Sequence, residues 1–182
     1  MKIAICGSHG VGKTTLMNRI AESHKDWFFV EEQARKCPYP LNREASYQTQ
    51  RWILENQILR ELECYALDTK AVIVCDRSTI DQQAYIWWLF QHGRISKEEY
   101  DLLMKTAGAW AETYDLICFL PVEFGCKADE MRDGAWQYQA DIDFTVRGII
   151  WKLQSPIELK GDIEKRFRKF ERAYNKKVRG EI

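Results

Sequence analysis

Residues 3–14 read Ile3-Ala4-Ile5-Cys6-Gly7-Ser8-His9-Gly10-Val11-Gly12-Lys13-Thr14. Four apolar, β-prone residues run into a glycine-rich turn, and from Lys13 to about Glu22 the chain follows a helical pattern with Leu16 and Ile20 on one face. The turn completes the pattern GxxxxGK[ST], followed by Thr15, in the context that gives the pattern physical meaning: a strand before it and a helix after. Glycines let the backbone bend tightly and aim N–H groups into a concave anion site at a helix N-terminus. Lys13 is then placed to reach the outer phosphates, and the Thr14 hydroxyl to ligate Mg²⁺. A chance glycine-rich turn would not need the full pattern. We therefore read Gly7, Ser8, His9, Gly10, Val11, Gly12, Lys13, Thr14 and Thr15 as a nucleoside-triphosphate cradle, with His9 a spacer rather than an acid–base group.

The rest of the chain alternates in the same manner. Further strand-like runs stand at Trp27–Val30, Ala71–Cys75, Leu116–Leu120 and Ile157–Lys160. Helical patterns fill Ser46–Leu67 (apolar at Leu54, Ile58, Leu62 and Tyr65), Thr79–His92, Ser96–Glu112, Ile142–Leu153 and the stretch after Gly161. Pro38 and Pro40 make Cys37–Asn42 a loop. Strands separated by helices of this length give an α/β fold with a parallel five-stranded sheet and right-handed crossovers. With 182 residues and no repeat or linker, a single domain over 1–182 is expected.

Composition sets outer limits. Lys+Arg and Asp+Glu both number 27, a zero net charge that argues against a broadly basic, duplex-binding protein. The balance hides a split: residues 161–182 hold eight Lys/Arg against four acids, leaving −4 on the first 160 residues. That basic terminal helix is either a solvated face or a docking strip for nucleic acid or an acidic partner. No apolar run approaches a bilayer span, and the N-terminus lacks a leader pattern, so a cytoplasmic protein without membrane contact is expected. The six cysteines form no metal or disulfide pattern, and Cys6, Cys75 and Cys118 sit in strand-like runs as small hydrophobes.

Two further segments carry chemistry. Val72-Ile73-Val74-Cys75-Asp76-Arg77-Ser78 puts Asp76 at the C-terminal tip of a strand, where an open α/β sheet carries ligands. Asp76 is a candidate Mg²⁺ carboxylate and Arg77 a candidate phosphate fork, or else a helix cap and a surface cation. Glu31-Glu32-Gln33-Ala34-Arg35 follows the second strand, where Glu32 is placed to take a hydroxyl proton and Arg35 to hold a substrate anion. A solvated charged turn is the alternative. Trp52, Trp87, Trp88 and Trp110 offer either a stacking face for a ring or core packing, and Cys37–Pro40 either a pocket wall or a rigid connection.

Over nearly its whole length the chain resembles the phosphate-loop nucleoside and nucleotide kinases, nearest to the nicotinamide-riboside-kinase-like group of small ATPase/kinases. The likeness rests on Gly7–Thr15, Glu32-Gln33-Ala34-Arg35 and Asp76-Arg77-Ser78, and the last segment also resembles the DR or ERS segments of thymidylate and deoxyribonucleoside kinases. It implies the three-layer P-loop NTPase fold, ATP and Mg²⁺ as cofactors, and a small nucleoside- or nucleotide-like acceptor. By the same likeness Glu32 becomes the base or acceptor ligand, Asp76 the Mg²⁺-linked carboxylate, and Arg77 a phosphate or acceptor contact. The polar stretch 123–144 matches a lid, with Arg132 first and Arg147 second as its arginine, and Gly161 matches the adenine-passing loop. The lid's Trp136, Tyr138 and Phe144 depart from arginine-rich lids. Two other functions share these residues: a polynucleotide 5′-hydroxyl kinase and a nucleotide-hydrolysing switch with no small acceptor. No guanine-reading NKxD pattern is present, which favours ATP as donor.

Overall fold

The structure, a computed structural model, describes residues 1–123, 136–153 and 155–182. Its strands are β1 (Lys2–Cys6), β2 (Phe28–Val30), β3 (Ile73–Asp76), β4 (Leu116–Phe119) and β5 (Ile157–Glu158). Between and after them lie helices α1 (Lys13–Ser23), α2 (Tyr47–Leu67), α3 (Thr79–Gln91), α4 (Lys97–Ala111), α5 (Trp136–Leu153) and α6 (Ile163–Val178). The sheet runs β2-β3-β1-β4-β5 with every pairing parallel. Ile3 sits opposite Val74 on one side and Leu116 on the other. β1 is central, so its C-terminal tip opens where the strand order reverses, the place an open α/β sheet reserves for ligands.

Strand periodicity sorts the core into two layers. Ala4, Cys6, Cys75, Ile117 and Phe119 face Leu54 of α2, Ala84 of α3, Leu103 of α4 and Ile142 of α5. Ile3, Ile5, Val74, Leu116 and Cys118 face Leu16 and Ile20 of α1 and Phe170 of α6. With helices on both faces the three inner strands β3, β1 and β4 are buried throughout, which is why they read as continuous apolar runs. Ser46, Ser78 and Ser96 start α2, α3 and α4 through capping boxes closed by Thr49, Asp81 and Glu99. Cys6, Cys75 and Cys118 are free and buried, as their strand positions require. Among the described residues no helix is long and apolar enough to cross a membrane.

Two helices depart from the sequence pattern. α5 begins at Trp136, six residues before Ile142, so residues 136–144 of the expected lid are helical. Tyr138, Ile142, Val146 and Ile150 are buried, while Trp136 and Phe144 stand exposed on the other face, and apolar residues on both faces erase the period. Residues 124–135, which include Arg132 and Cys126, lie outside the described residues. In α2 the expected apolar stripe is fully buried only at Leu54: Ile58 and Tyr65 are partly buried and Leu62 is 49% exposed, whereas the polar Gln50, Gln57 and Glu61 are buried along with Leu54.

That polar stripe answers a buried cation. Lys2 opens β1 fully buried, with Nζ 2.7 Å from Glu61 Oε2 and above the rings of Trp110 and Tyr114 at 4.3 and 4.5 Å. Glu61 also accepts from Trp110 Nε1 (2.6 Å), the Tyr114 hydroxyl (2.6 Å) and Gln57 Nε2 (2.8 Å). A buried pair costs most when one member is removed and the other stays unpaired. Lys2→Ala is therefore expected to destabilise the protein by about 3–5 kcal/mol, read as a lowered midpoint in urea unfolding. An unchanged midpoint would show that Glu61 finds another partner.

Candidate active site

The β1–α1 turn is built by backbone that only glycine adopts cheaply. Gly7 has φ +146°, and a Cβ there would fall 2.4 Å from the Leu120 carbonyl oxygen. Its N–H donates to Asp81 Oδ1 at 2.6 Å, while Asp81 Oδ2 accepts from the Ser78 N–H (2.9 Å) and hydroxyl (3.1 Å). Asp81 thus ties the start of the loop to the start of α3. On the other flank the Ser8 hydroxyl donates to the Gln139 carbonyl (2.9 Å) and Gln139 Nε2 to the His9 carbonyl (2.8 Å). Arg166 of α6 holds Val11 O (2.6 Å) and Glu123 (2.5 Å), and Glu123 accepts the Gly161 N–H at 2.9 Å.

Inside this cup Lys13 folds back, donating from Nζ to the carbonyls of Gly7 (2.9 Å) and Ser8 (2.6 Å). Burial, then repulsion from Arg77, pushes its ammonium down to about 8, against the pull of Asp81, Glu32 and Asp76. At the tip of β3, Asp76 Oδ2 accepts from the Thr14 hydroxyl at 2.5 Å, and its Oδ1 is buried without a hydrogen-bond partner. Arg77 adopts a left-handed φ of 77°, uncommon outside glycine. The turn sends its guanidinium to the Glu32 carboxylate through Nε and to the Tyr85 hydroxyl through Nη1 (3.0 Å). Glu32 also pairs with Arg35 at 3.1 Å. Burial alone would raise the Glu32 carboxyl, but Arg77 and Lys13, with Arg35, hold it at about 2.

Most of these groups share one cleft. His9, Gly10, Gly12, Lys13, Thr14 and Thr15 line it, as do Glu32, Arg35 and Arg77. It continues into a chamber between the turn after β2, α2 and the start of α3, walled by Gln33, Ala34, Leu41, Gln50, Ile53, Gln57, Gln82 and Tyr85. Of the expected residues, Lys13, Thr14, Glu32, Arg35 and Arg77 line this cleft, while Asp76 does not and is joined to it through the Thr14 hydroxyl.

Gly161 does not line the cleft and reaches the loop only through Glu123 and Arg166. Arg147 is engaged by Glu158 (3.1 Å) and Asp143 (3.6 Å) and lies over the Phe119 ring, while Arg132 is outside the described residues. None of Trp52, Trp87, Trp88 and Trp110 lines the cleft, and neither does Cys37–Pro40. Trp110 serves Glu61, and Trp88 packs on His92 and Tyr138. Sequence reasoning missed Asp81, Tyr85, Arg166 and the four glutamines. Only Asp81 carried a signal, the Ser78-x-x-Asp81 capping pattern.

The oxygen pair Thr14–Asp76 fits a hard divalent cation. Mg²⁺ takes one or two protein oxygens and fills its shell with water and phosphate, and the unpartnered Asp76 Oδ1 is a ligand atom left over by the protein's own bonding. Among the described residues no group of three His, Cys, Asp or Glu is arranged to hold a metal by itself.

The fold and loop define a P-loop protein of the nucleoside and nucleotide kinase fold. The chain belongs to the family described as AAA domain (AAA_28), whose model matches residues 2–166. No curated protein matches it by sequence. Among solved structures it is similar to deoxyadenosine kinase from M. mycoides with the products dCMP and a flexible dCDP bound: TM-score 0.77, 15% identity, 96% of this chain and 99% of that one. Thymidylate kinase from Candida albicans follows at TM-score 0.72 and 16% identity, covering 97% of this chain and 92% of that one. NadR protein in complex with NR matches at TM-score 0.70 and 18% identity over 96% of this chain and 50% of that chain. At such identities the likeness is one of fold.

Asp81 supplies a direct check on the loop's construction. Asp81→Ala leaves the Gly7 and Ser78 N–H groups buried without an acceptor, each worth about 1–3 kcal/mol. Lower stability in urea and faster hydrogen exchange at those two amides are expected. Unchanged exchange at Gly7 would mean the loop holds its shape without Asp81.

Proposed function

We propose that the chain is an ATP- and Mg²⁺-dependent phosphotransferase acting on a small nucleoside- or nucleotide-like acceptor. The observation that carries this reading is the continuity of the cleft: one cavity joins the phosphate cup to Glu32, Arg77 and the chamber beyond them. A nucleotide hydrolase with no small acceptor has no use for that chamber. A polynucleotide kinase would be favoured by the basic face of α6, where Lys165, Arg168, Lys169, Arg172 and Lys176 line a groove. That groove and the cleft have no lining residue in common, so the small acceptor is the stronger reading.

In this mechanism the loop amides receive the β- and γ-phosphates, and Lys13 leaves its carbonyls for the phosphate oxygens. Thr14 and Asp76 would hold Mg²⁺, which would supply neutralisation of the phosphate charge. Arg77 is the candidate for the transferring phosphoryl group, and Glu32 accepts a hydrogen bond from the acceptor hydroxyl. A carboxylate held at about 2 is a weak proton acceptor, but a loose phosphoryl-transfer transition state asks little of its base until late. Glu32 therefore acts chiefly by orienting the nucleophile.

Lys13→Ala is expected to abolish transfer, measured as nucleotide consumed with a panel of nucleosides and nucleotides. Glu32→Gln should lower kcat while ATP affinity changes little. Full activity in purified Lys13→Ala protein would sink the proposal. Proton linkage gives a third test. The Lys13 ammonium loses its proton at about 8 in the free protein, and bound polyphosphate favours the charged form. ATP affinity should be flat below that pH and fall above it by at most about tenfold per unit. Titrations between pH 6.5 and 9.5 check this, and an affinity that rises with pH would contradict the sign.

A further inference from the structure

The acceptor chamber is walled by four glutamines, and the protein itself decides which end of three of them faces inward. Gln57 Nε2 donates to Glu61 Oε1 at 2.8 Å. Gln82 Nε2 donates to the backbone carbonyl of Gln50 at 2.6 Å, and Gln33 Nε2 to that of Glu31 at 2.6 Å. A carbonyl or carboxylate oxygen can only accept, so each partner demands the NH₂ end and the amide cannot be turned round. The case is tightest at Glu61, where Lys2, Trp110 and Tyr114 supply three further donors to the same carboxylate.

The carbonyl ends are what remain. None of these three oxygens has a protein partner among the described residues, and none is sealed away as an unpartnered buried atom. Each residue is at least 95% buried and lines the cleft, so the chamber is the open side left to it. Gln50 differs: its own Oε1 receives a long contact from Gln82 Nε2 (3.4 Å), which leaves its NH₂ as a donor. The chamber is thus rich in acceptors, with the Gln50 NH₂ and the Tyr85 hydroxyl as donors beside them.

Building on the phosphotransferase reading, we propose that the acceptor is a nucleoside or nucleotide whose ring carries an exocyclic amino or carboxamide group next to an acceptor atom. Gln57 selects it, with Glu61 as the positioning residue that fixes the Gln57 amide. An oxo group in place of the amino group would set oxygen against oxygen and leave a carbonyl unsatisfied, a mismatch that binding sites reject strongly. A chamber built to read an amino group is also one that a oxo-bearing base of equal size enters only at a loss.

Equilibrium binding to the intact protein tests this with near-isosteric pairs: cytidine against uridine, adenosine against inosine, and nicotinamide riboside against nicotinic acid riboside. The amino or carboxamide member of at least one pair should bind roughly tenfold to a hundredfold tighter, and the pair that separates identifies the ring. Gln57→Leu should erase the difference by weakening the amino member alone. Glu61→Gln, which lets the Gln57 amide turn, should compress the ratio even where the variant binds both members. A merely structural role for Glu61 would weaken both equally. Equal affinities in the native protein, a preference for the oxo members, or no binding of any of the six overturns the inference. Should Glu61→Gln fail to fold, the native comparison and Gln57→Leu still decide. Amino-selective binding without phosphoryl transfer would overturn the kinase reading and leave the selectivity standing.

Discussion

A buried ammonium without a carboxylate in contact governs this site. Among the described residues Lys13 donates to the carbonyls of Gly7 and Ser8, and Arg77 repels it. Desolvation of this kind is tolerable only when charge of the opposite sign is fixed nearby. Three carboxylates supply it from separate elements: Asp81 on α3, Asp76 at the tip of β3 and Glu32 after β2. None of them touches Lys13 through a salt bridge among the described residues, so the lysine is held ready rather than locked. An incoming polyphosphate replaces two weak carbonyl contacts by charge-assisted ones.

Arg77 shows the complementary solution. Its guanidinium is buried but fully engaged, by Glu32 on one side and Tyr85 on the other, and its left-handed backbone turns the side chain across the cleft. Backbone in that region costs energy for a residue with a Cβ, and such cost persists where the surroundings over-determine it. The ion pair with Glu32, the capping box at Ser78 and the Asp81 bridge to Gly7 supply that surrounding. One short segment, Asp76–Asp81, therefore fixes the candidate metal carboxylate, the arginine and the loop anchor together.

What the sequence made legible followed local rules. The strand–glycine–helix passage at residues 3–14 placed the loop, and the buried strands announced themselves as apolar runs because both faces are covered. Asp76 and Arg77 were legible because a strand tip in such a sheet has a known direction. What stayed hidden depended on partners distant in sequence. Gln57 and Glu61 sit where helix periodicity calls for apolar side chains, and only Lys2, some 59 positions away, explains them. Arg166 looked like one cation among eight on a basic helix, yet it alone of that helix's cations is buried, its guanidinium reaching Val11 and Glu123. The start of α5 was hidden by Trp136 and Phe144, apolar residues on a solvent-facing side.

The Lys2–Glu61 network also joins two properties that are usually separate. At its outer end it neutralises a cation at the start of the central strand, which is a matter of stability. At its inner end Glu61 holds the Gln57 amide against the chamber wall, which is a matter of recognition. A carboxylate that receives four donors has little freedom to move, and that rigidity passes to the glutamine it holds. An apolar pair in place of Lys2 and Glu61 would stabilise the sheet as well or better, but it would release the amide. The presence of buried charge where a hydrocarbon would pack is thus accounted for by the orientation of one side chain in the chamber it lines.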